Sequence, residues 1–427
     1  MERQHRFGDL LRDFRLRAAL TQEELASKSG ISARTISLLE TGKRNAPRLA
    51  SVRLLAAGLG LSQVDGGALL SATTAVPDRR SRIGGPFGPP ACLPPDIPDF
   101  VGRESELGKM RSANGIVVIS GMAGIGKSTL AVRAARGVAS RFPDGQFFCN
   151  LYGFTADRAP LAPKLALLQL LLLAGVPADR IGSSLEERVG LWRTVTANRR
   201  VLLVLDDTAD DRQIRPLLPG ASGSLTVVTS RPRLPGLAGA LPVPLDVLPP
   251  ASATELFGRI GGEDRPAEPE IAAEIVALCG YLPLAIRIAA LRVSRGPART
   301  AGELLLRLRD SDRRLGELRT NGLPDLGAAF SQSYRPLDTA ELTLLARLAA
   351  RSNRVFTAEL AAELTGLGPH RTECALEKLL DHHLLLQPAP GYYALHSLLH
   401  QHARGIAGAR LTRIGQPWLD PDRAITA

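Results

Sequence analysis

Aromatic side chains are scarce: Phe, Trp and Tyr make up 4% of the 427 residues, while hydrophobic residues of all kinds reach 44%. The buried cores therefore have to be built from Leu, Ala, Val and Ile. Lysine is scarcer still, confined to Lys28, Lys43, Lys109, Lys127, Lys164 and Lys378, so the net charge of +11 rests on arginine. Such a charge draws polyanions, but an arginine excess also follows from a GC-rich genome and does not by itself identify a nucleic-acid partner. The four cysteines, Cys92, Cys149, Cys279 and Cys374, form no CxxC pair. That argues against a zinc ribbon or a disulfide framework and fits reduced thiols in a cytosol. The most apolar run, Leu165 to Val176, is interrupted by Gln169 and is too short to span a bilayer; it reads as a buried helix. The segment Met1-Glu2-Arg3-Gln4-His5-Arg6 lacks the apolar core of a signal peptide. A cytoplasmic protein without a membrane partner is expected. No period of about 20 to 50 residues recurs, which excludes a solenoid or propeller.

What is present divides the chain. Its length suggests several domains rather than one core. Residues 1–73 read as a helical unit. Residues 74–98 contain Pro77, Gly84, Gly85, Pro86, Gly88, Pro89, Pro90, Pro94, Pro95 and Pro98, a composition that sustains neither helix nor central strand and makes a linker. From 99 to 245, apolar runs alternate with helical patterns, as in a parallel α/β sheet. The clearest strands are Ile116–Ser120, Val201–Leu205 and Leu225–Thr229. Beyond 246 the pattern is mostly helical.

Gly121-Met122-Ala123-Gly124-Ile125-Gly126-Lys127-Ser128-Thr129 fits G-x-x-x-x-G-K-[ST], between an apolar strand and a helical pattern from Leu130 to Ala139. Gly121, Gly124 and Gly126 let successive backbone N–H groups converge on phosphate oxygens, and the helix N-terminus adds its partial positive charge. Lys127 would bring a charge to the β/γ-phosphates and the Ser128 hydroxyl would ligate Mg²⁺. Val201-Leu202-Leu203-Val204-Leu205-Asp206-Asp207 is an apolar strand ending in two carboxylates. Asp206 is expected to hold the metal and Asp207 to polarise an attacking water. Arg231, closing Thr229-Ser230-Arg231, falls at the carboxyl end of the next strand, the ligand side of such sheets, where it would meet the γ-phosphate.

In the first unit, Thr21-Gln22-Glu23-Glu24 is a capping box. The helix it opens stops at Gly30, and Ser32 caps a second helix, Ala33 to Glu40, with Ile36 and Leu39 on its core face. Two short helices about a Gly-containing turn make a helix-turn-helix pattern. Ala33, Arg34 and Ser37 lie away from the core face, where they would reach base edges in a major groove, Arg34 being suited to guanine. Gln22, Lys43, Arg44 and Arg48 lie near helix ends, where phosphates of double-stranded DNA would pass. Residues 1–60 hold 11 Lys and Arg against 6 Asp and Glu.

Thr21-Gln22-Glu23-Glu24-Leu25-Ala26, Ile31-Ser32, Thr35-Ile36-Ser37 and Glu40-Thr41-Gly42 resemble the Cro/repressor-type (Xre family) helix-turn-helix. Residues 99 to about 405 resemble the NB-ARC module of STAND-class signalling ATPases. Phe100-Val101-Gly102-Arg103-Glu104 matches the motif that opens that module, and the phosphate loop, the carboxylate strand and Thr229-Ser230-Arg231 follow in order. Cys279-Gly280-Tyr281-Leu282-Pro283-Leu284-Ala285 matches its GLPL segment, and Tyr393-Ala394-Leu395-His396-Ser397-Leu398-Leu399 its MHD segment. The resemblance implies that Val101, Gly102 and Arg103 border the adenine, that Thr129 joins the phosphate site, that Pro283 lies against the nucleotide, and that His396 contacts the β-phosphate of ADP. Ser397 replaces the Asp of that last motif, which implies weaker ADP retention. The implied parts are the nucleotide-binding core (99–245), a helical domain (246–325), a winged helix (326–405) and a tail (406–427). Helical stretches near 340–350, 357–365 and 370–381, then apolar runs Leu384–Gln387 and Tyr392–Leu395 about a Pro388–Gly391 turn, fit the winged helix on pattern alone. Relatives carry a long repeat sensor after it; here the sensor is expected to be missing, to be supplied by a separate protein or small ligand, or to lie outside the given sequence.

The expected fold is therefore multidomain: an all-α helix-turn-helix, then an α/β P-loop core, a helical domain and a winged helix. The expected function is an ATP/ADP-switched transcriptional regulator that self-associates on activation and hydrolyses ATP slowly. Two other readings stay open: a P-loop ATPase whose turnover is the output, and a signalling or defence scaffold whose N-terminal domain binds protein. His382, His383, His396, His400 and His402 are not a zinc motif, because Ser397 follows His396 where HExxH requires Glu.

Overall fold

A computed structural model of the chain describes residues 7–70 apart from 19, 42–46, 48, 63, 64 and 68, and residues 90–411 apart from 157, 263–266 and 295–299. The chain divides into two compact units, Met1–Gly88 and Pro89–Ala427.

The first unit is helical: α1 (Phe7–Arg17), α2 (Gln22–Ser29), α3 (Ala33–Glu40) and α4 (Leu49–Gly58). Local chemistry sets its turns. The Thr21 side chain accepts from the Glu24 backbone while Glu24 reaches back to the Thr21 N–H, Gly30 closes α2 in the left-handed region at φ 69°, and the Ser32 hydroxyl caps α3. Leu11, Leu25, Ile36, Leu39, Val52 and Leu55 are buried together in an aliphatic core. A Cβ on Gly8 would come within 2.3 Å of the Leu39 carbonyl oxygen, so α1 and α3 meet at backbone distance.

The second unit begins with α5 (Glu104–Arg111) and a five-stranded sheet of β1 (Gly115–Ser120), β2 (Gln146–Asn150), β3 (Leu202–Thr208), β4 (Leu225–Ser230) and β5 (Leu241–Pro244). Every pairing is parallel and the spatial order is β2-β3-β4-β1-β5. Helices cover both faces: α6 (Lys127–Val138), α7 (Pro163–Leu173), α8 (Leu185–Thr196) and the single turn α9 (Asp211–Ile214). Val117, Ile119, Val204 and Val227 enter one core, and Val118, Leu203, Leu205 and Val228 the other. This two-sided burial is why the central strands read as unbroken apolar runs. Trp192 is fully buried despite the aliphatic composition; its indole N–H donates to the Leu217 carbonyl at 2.8 Å and its ring meets Phe147 edge-on.

Seven further helices precede a small sheet: α10 (Pro250–Gly261), α11 (Pro269–Leu278), α12 (Pro283–Ser294), α13 (Ala301–Arg309), α14 (Ser311–Glu317), α15 (Leu326–Ser333) and α16 (Thr339–Ala349). Strand β6 (Val355–Thr357), helices α17 (Ala358–Thr365) and α18 (Pro369–Asp381), strands β7 (Leu386–Ala389) and β8 (Tyr392–Ala394), and helix α19 (Ser397–Leu411) follow. The antiparallel order β6-β8-β7, beside α16 to α18, is a winged-helix arrangement.

Several expectations are corrected. The run from Leu165 is helical but only half buried: Leu167, Leu170 and Leu171 face the core, whereas Leu165, Leu172 and Leu173 are exposed. Strand β7 starts at Leu386 rather than Leu384, because Leu384 and Leu385 are core residues and His383 turns the chain at φ 53°. The hairpin turn is then the pair Pro390-Gly391. Helix α19 continues past 405 to Leu411. Strands β2, β5 and β6 are short segments that the apolar pattern did not single out. Among the described residues, no helix is long and apolar enough to cross a membrane.

Candidate functional site

Strand order builds the cleft at the end of the sheet. Placing β4 between β1 and β3 sets the Thr229-Ser230-Arg231 end between the glycine-rich loop after β1 and the carboxylates after β3. Here the sheet opens a cleft of about 630 Å³. Val101, Arg103, Gly124, Gly126, Lys127, Ser128, Thr129, Asp206, Asp207, Arg231 and Pro283 all line it.

The loop enters α6 at Gly126, held at φ 96°, with Gly124 at φ 80°; side chains rarely adopt these angles. Helix α6 therefore starts at Lys127, three residues earlier than the sequence pattern suggested. The free N–H groups of its first turn belong to Lys127, Ser128 and Thr129. Lys127 Nζ donates to the carbonyl oxygens of Gly121 at 2.7 Å and Met122 at 2.9 Å. Burial lowers the Lys127 pKa to about 7, and the charge of Arg231 acts in the same direction against Asp207 and Asp206.

Across the cleft, β3 breaks register against β4 between Leu205 and Thr208, and Asp207 sits at φ 52°. Thr229 organises both carboxylates: its hydroxyl donates to Asp206 Oδ1 at 2.6 Å and accepts from the Asp207 N–H at 2.9 Å. Burial raises the Asp206 pKa, while hydrogen bonds from Thr229 and Ser128 oppose the rise. Ser128 and Asp206 both line the cleft. Two hard oxygens with open space beyond them suit Mg²⁺, which completes its shell with waters and phosphate. Among the described residues no group of three or more His, Cys, Asp or Glu forms a metal cage. Asp207 Oδ2 instead accepts from the Phe154 N–H at 3.1 Å and the Thr155 hydroxyl at 3.3 Å, so it anchors the loop after β2.

Other expected residues sit differently. Arg231 does not project freely: its Nη1 donates to the Ala329 carbonyl and to Ser333 Oγ at 2.6 Å, both on α15, and its charge lies over the Phe154 ring. Arg103 lines the cleft, but its guanidinium is committed to Glu106 and the Asp246 carbonyl. Gly102 packs under Ser252, where a Cβ would come within 2.4 Å of the hydroxyl, and does not line the cleft. Gly121 contributes its carbonyl to Lys127 rather than a surface to the cleft. His396 also lies outside it. Its Nε2 donates to the Gly280 carbonyl at 2.9 Å, and with His383 it borders a separate small cavity. Burial lowers its pKa, while the bond to Gly280 opposes the shift. Pro283 opens α12 against the loop, and the Leu284 N–H donates to the Gly124 carbonyl at 3.1 Å. Sequence reasoning missed Asn150, Phe154, Thr155, Arg287 and Gln332, all in the cleft wall. They come from a strand end, a loop and two helices, at positions that no motif marks, and only folding assembles them.

In the first unit, Arg34 is exposed on α3 and Ala33 and Ser37 are half-buried beside it. Gln22 is drawn into the unit: its Nε2 donates to Glu40 Oε2 at 2.7 Å, and Arg15 Nε donates to Glu40 Oε1 at 2.7 Å. Lys43 and Arg44, with Arg48, lie outside the described residues.

The helix-turn-helix domain family matches residues 6–66. The regulatory protein AfsR of Streptomyces griseus is 41% identical over 327 residues, covering 74% of this chain and 33% of that protein. AfsR of Streptomyces coelicolor is 38% identical over 332 residues, again 74% and 33%. The chain thus spans about a third of the length of these curated relatives. An alignment of that extent cannot be housed in the first 88 residues, so most of it lies in the P-loop unit. A signal transduction ATPase with numerous domains from Pyrococcus horikoshii aligns with 76% of this chain and 47% of its own, at 21% identity and a TM-score of 0.37. The chain joins an N-terminal helix-turn-helix domain to a P-loop α/β unit, and across 74% of its length it is similar to the AfsR regulators.

Proposed function

We propose that the chain is a DNA-binding transcriptional regulator whose state is set by ATP or ADP in the P-loop cleft. The observation that carries the reading is the make-up of that cleft. Lys127 and Ser128, the carboxylates Asp206 and Asp207, and Arg231 share it with Pro283 of α12 and with Ala328 and Ala329 of α15. A phosphate chain on the loop therefore touches three parts of the second unit: the core (99–245), the helical segment (246–325) and the winged-helix segment (326–405). A nucleotide shifts a conformational equilibrium only by its differential affinity for the two states. A site walled by separate parts is where such a difference arises.

Within this reading, the loop N–H groups and Lys127 hold the phosphates. Ser128 and Asp206 would hold Mg²⁺, which supplies charge neutralisation between the phosphates. Asp207 would orient a water for slow hydrolysis that resets the switch. Arg34, Ala33 and Ser37 would read base edges of double-stranded DNA, and self-association in the ATP state would pair two helix-turn-helix domains for avidity. The AfsR relatives are called regulatory proteins, which supports the direction of the output.

The test is retention of the full chain on sheared host genomic DNA with Mg-ADP and with a non-hydrolysable ATP analogue. A few fragments are expected to be enriched, and the two nucleotides should enrich them to different degrees. Enrichment indifferent to nucleotide would remove the switch, and no enrichment in either state would remove the DNA reader.

A further inference from the structure

Residues 90–98, read from the sequence as part of a linker, belong to the second unit and are bonded to it along their length. At one end the segment joins the sheet. Ala91 pairs in parallel with Gln146 at the start of β2; the Cys92 N–H donates to the Gln146 carbonyl at 2.9 Å and the Gln146 N–H to the Pro90 carbonyl at 2.7 Å. In the middle it crosses α6. Arg136 Nε donates to the Pro94 carbonyl at 2.7 Å and its Nη2 to the Leu93 carbonyl at 3.3 Å. Arg133 pairs with Asp96 and lies over the Phe100 ring, 5.4 Å from its centroid. At the other end Ile97, Asp99 and Phe100 line the cleft. There Asp99 is paired with Arg287 of α12 at 2.7 Å, and the Phe100 carbonyl accepts from Arg259 of α10 at 3.1 Å. One continuous segment thus runs from the edge of the sheet to the cleft wall, over the helix whose first turn carries Lys127, Ser128 and Thr129.

We propose that residues 90–98 are a strap that nucleotide pins, so that occupancy of the cleft sets the length of the tether carrying the DNA-binding unit. The inference rests on the nucleotide reading above and adds how the cleft addresses the first unit. A ligand on the phosphate loop and against Ile97 and Phe100 favours the form in which those side chains stand in the cleft wall. By linkage it also favours the fastenings that continue from them. Those fastenings are weak one by one: the arginine bonds are exposed, and surface pairs contribute little. Local release is therefore cheap, and a ligand shifts it readily. The covalent path from the first unit to the cleft runs through residues 90–98. Pinned, they are part of the second unit; released, they lengthen the tether by roughly 30 Å at full stretch. Tether length sets the effective concentration of one DNA-binding unit at a second half-site. Cys92 reports the state of the strap. Its thiol is half-buried there, and burial raises its pKa, which slows its reaction. Cys92 does not line the cleft, so a bound nucleotide does not shield it directly.

The experiment follows alkylation of Cys92 by iodoacetamide in the full chain, read by peptide mass spectrometry, with and without Mg-ADP, whose binding is measured separately by titration calorimetry. At about ten times its Kd, a ligand bound only by the pinned form lowers the released fraction about elevenfold, and alkylation of Cys92 is expected to slow by about that factor. Cys374 is exposed and should keep its rate, while Cys149 and Cys279 are buried and should stay unreactive in the folded chain. Arg136→Gln removes the Pro94 and Leu93 bonds without touching the cleft; it should speed Cys92 alkylation about fivefold. Arg133→Gln, which removes the Asp96 pair, should act in the same direction. Equal Cys92 rates with and without bound Mg-ADP overturn the strap and leave the nucleotide reading standing. A slowing that Cys374 shares, or a Cys92 rate that neither variant moves, also overturns it. Failure of the unaltered chain to bind Mg-ADP overturns both.

Discussion

Lys127 is held for a ligand at the cost of its own solvation. Its ammonium rests on the Gly121 and Met122 carbonyls, and burial brings its pKa down to about 7 from the ordinary lysine value of 10.5. In the ligand-free chain this group takes up fewer protons than it does unfolded between those two values. Its contribution to stability therefore rises with pH from about 7 to 10.5. Nucleotide binding has the opposite sign, because phosphate needs the charged form and must draw a proton onto Lys127 above its lowered pKa. Affinity should fall from pH 7 to pH 9, roughly tenfold per unit once the group is neutral. Calorimetry in buffers of different ionisation enthalpy should show proton uptake at the upper end. Lys127→Ala should abolish both the affinity and the uptake; retained nucleotide affinity in that variant would exclude this cleft as the site. In the first unit, Arg34 is the exposed side chain of α3 suited to guanine. Arg34→Ala should cost about 1–3 kcal/mol at one base position and relax sequence preference there, whereas loss of a phosphate contact weakens all sequences alike. Binding to an operator and its single-base variants separates the two.

At the scale of elements, Glu40 at the end of α3 binds both Arg15 of α1 and Gln22 of α2, with Glu40 and Arg15 buried. One carboxylate thus fixes the recognition helix against two neighbours. Glu40→Ala strands the buried Arg15 charge, and removing one partner of such a pair destabilises by about 3 kcal/mol or more. Hydrogen exchange of the full chain should show that loss across residues 7–70 with 90–411 unchanged; an effect under about 0.5 kcal/mol, the size of an ordinary surface change, would mean that Arg15 is satisfied without Glu40. The winged-helix segment meets the core through both side-chain and backbone hydrogen bonds. His383 Nε2 lies 3.1 Å from Ser120 Oγ, directly before the glycine loop, and the Arg233 N–H donates to the Asp381 carbonyl at 3.0 Å. His396 holds the Gly280 carbonyl just ahead of α12. His396 thus braces the helical segment through the Gly280 carbonyl.

For the whole molecule, the regulator reading makes DNA affinity and nucleotide state one coupled quantity. If the analogue strengthens operator binding by some factor, operator must strengthen analogue binding by the same factor. That reciprocity is measurable with the full chain by titrating each ligand in the presence of the other. DNA affinity should also fall steeply with salt, by a power set by the number of phosphates neutralised, whereas the nucleotide preference should survive at fixed salt. Salt-insensitive retention would point to protein as the partner of the first unit. Equal analogue affinity with and without operator would uncouple the two units.

The features legible from the residues alone are those set by short-range chemistry. The capping box at Thr21, the Gly30 stop and the Ser32 cap follow from side chains bonding the backbone within four residues. The glycine loop follows from φ values that only glycine adopts freely, and the strands carrying Asp206 and Arg231 from apolar runs buried on both faces. From these signals came the helix-turn-helix, the parallel sheet and the motif residues that line the cleft. Only the tertiary structure decided which of those residues face a common cleft. His396, Gly102 and Gly121 lie outside it, while Phe154, Gln332 and Arg287 lie within. It also decided that Arg231 is held by a helix about a hundred positions later in the chain and that Gln22 serves Glu40. The physical reason is that these partners are fixed by strand order and by helix packing between distant segments. A motif encodes the chemistry a side chain offers, and long-range packing settles which groups accept it.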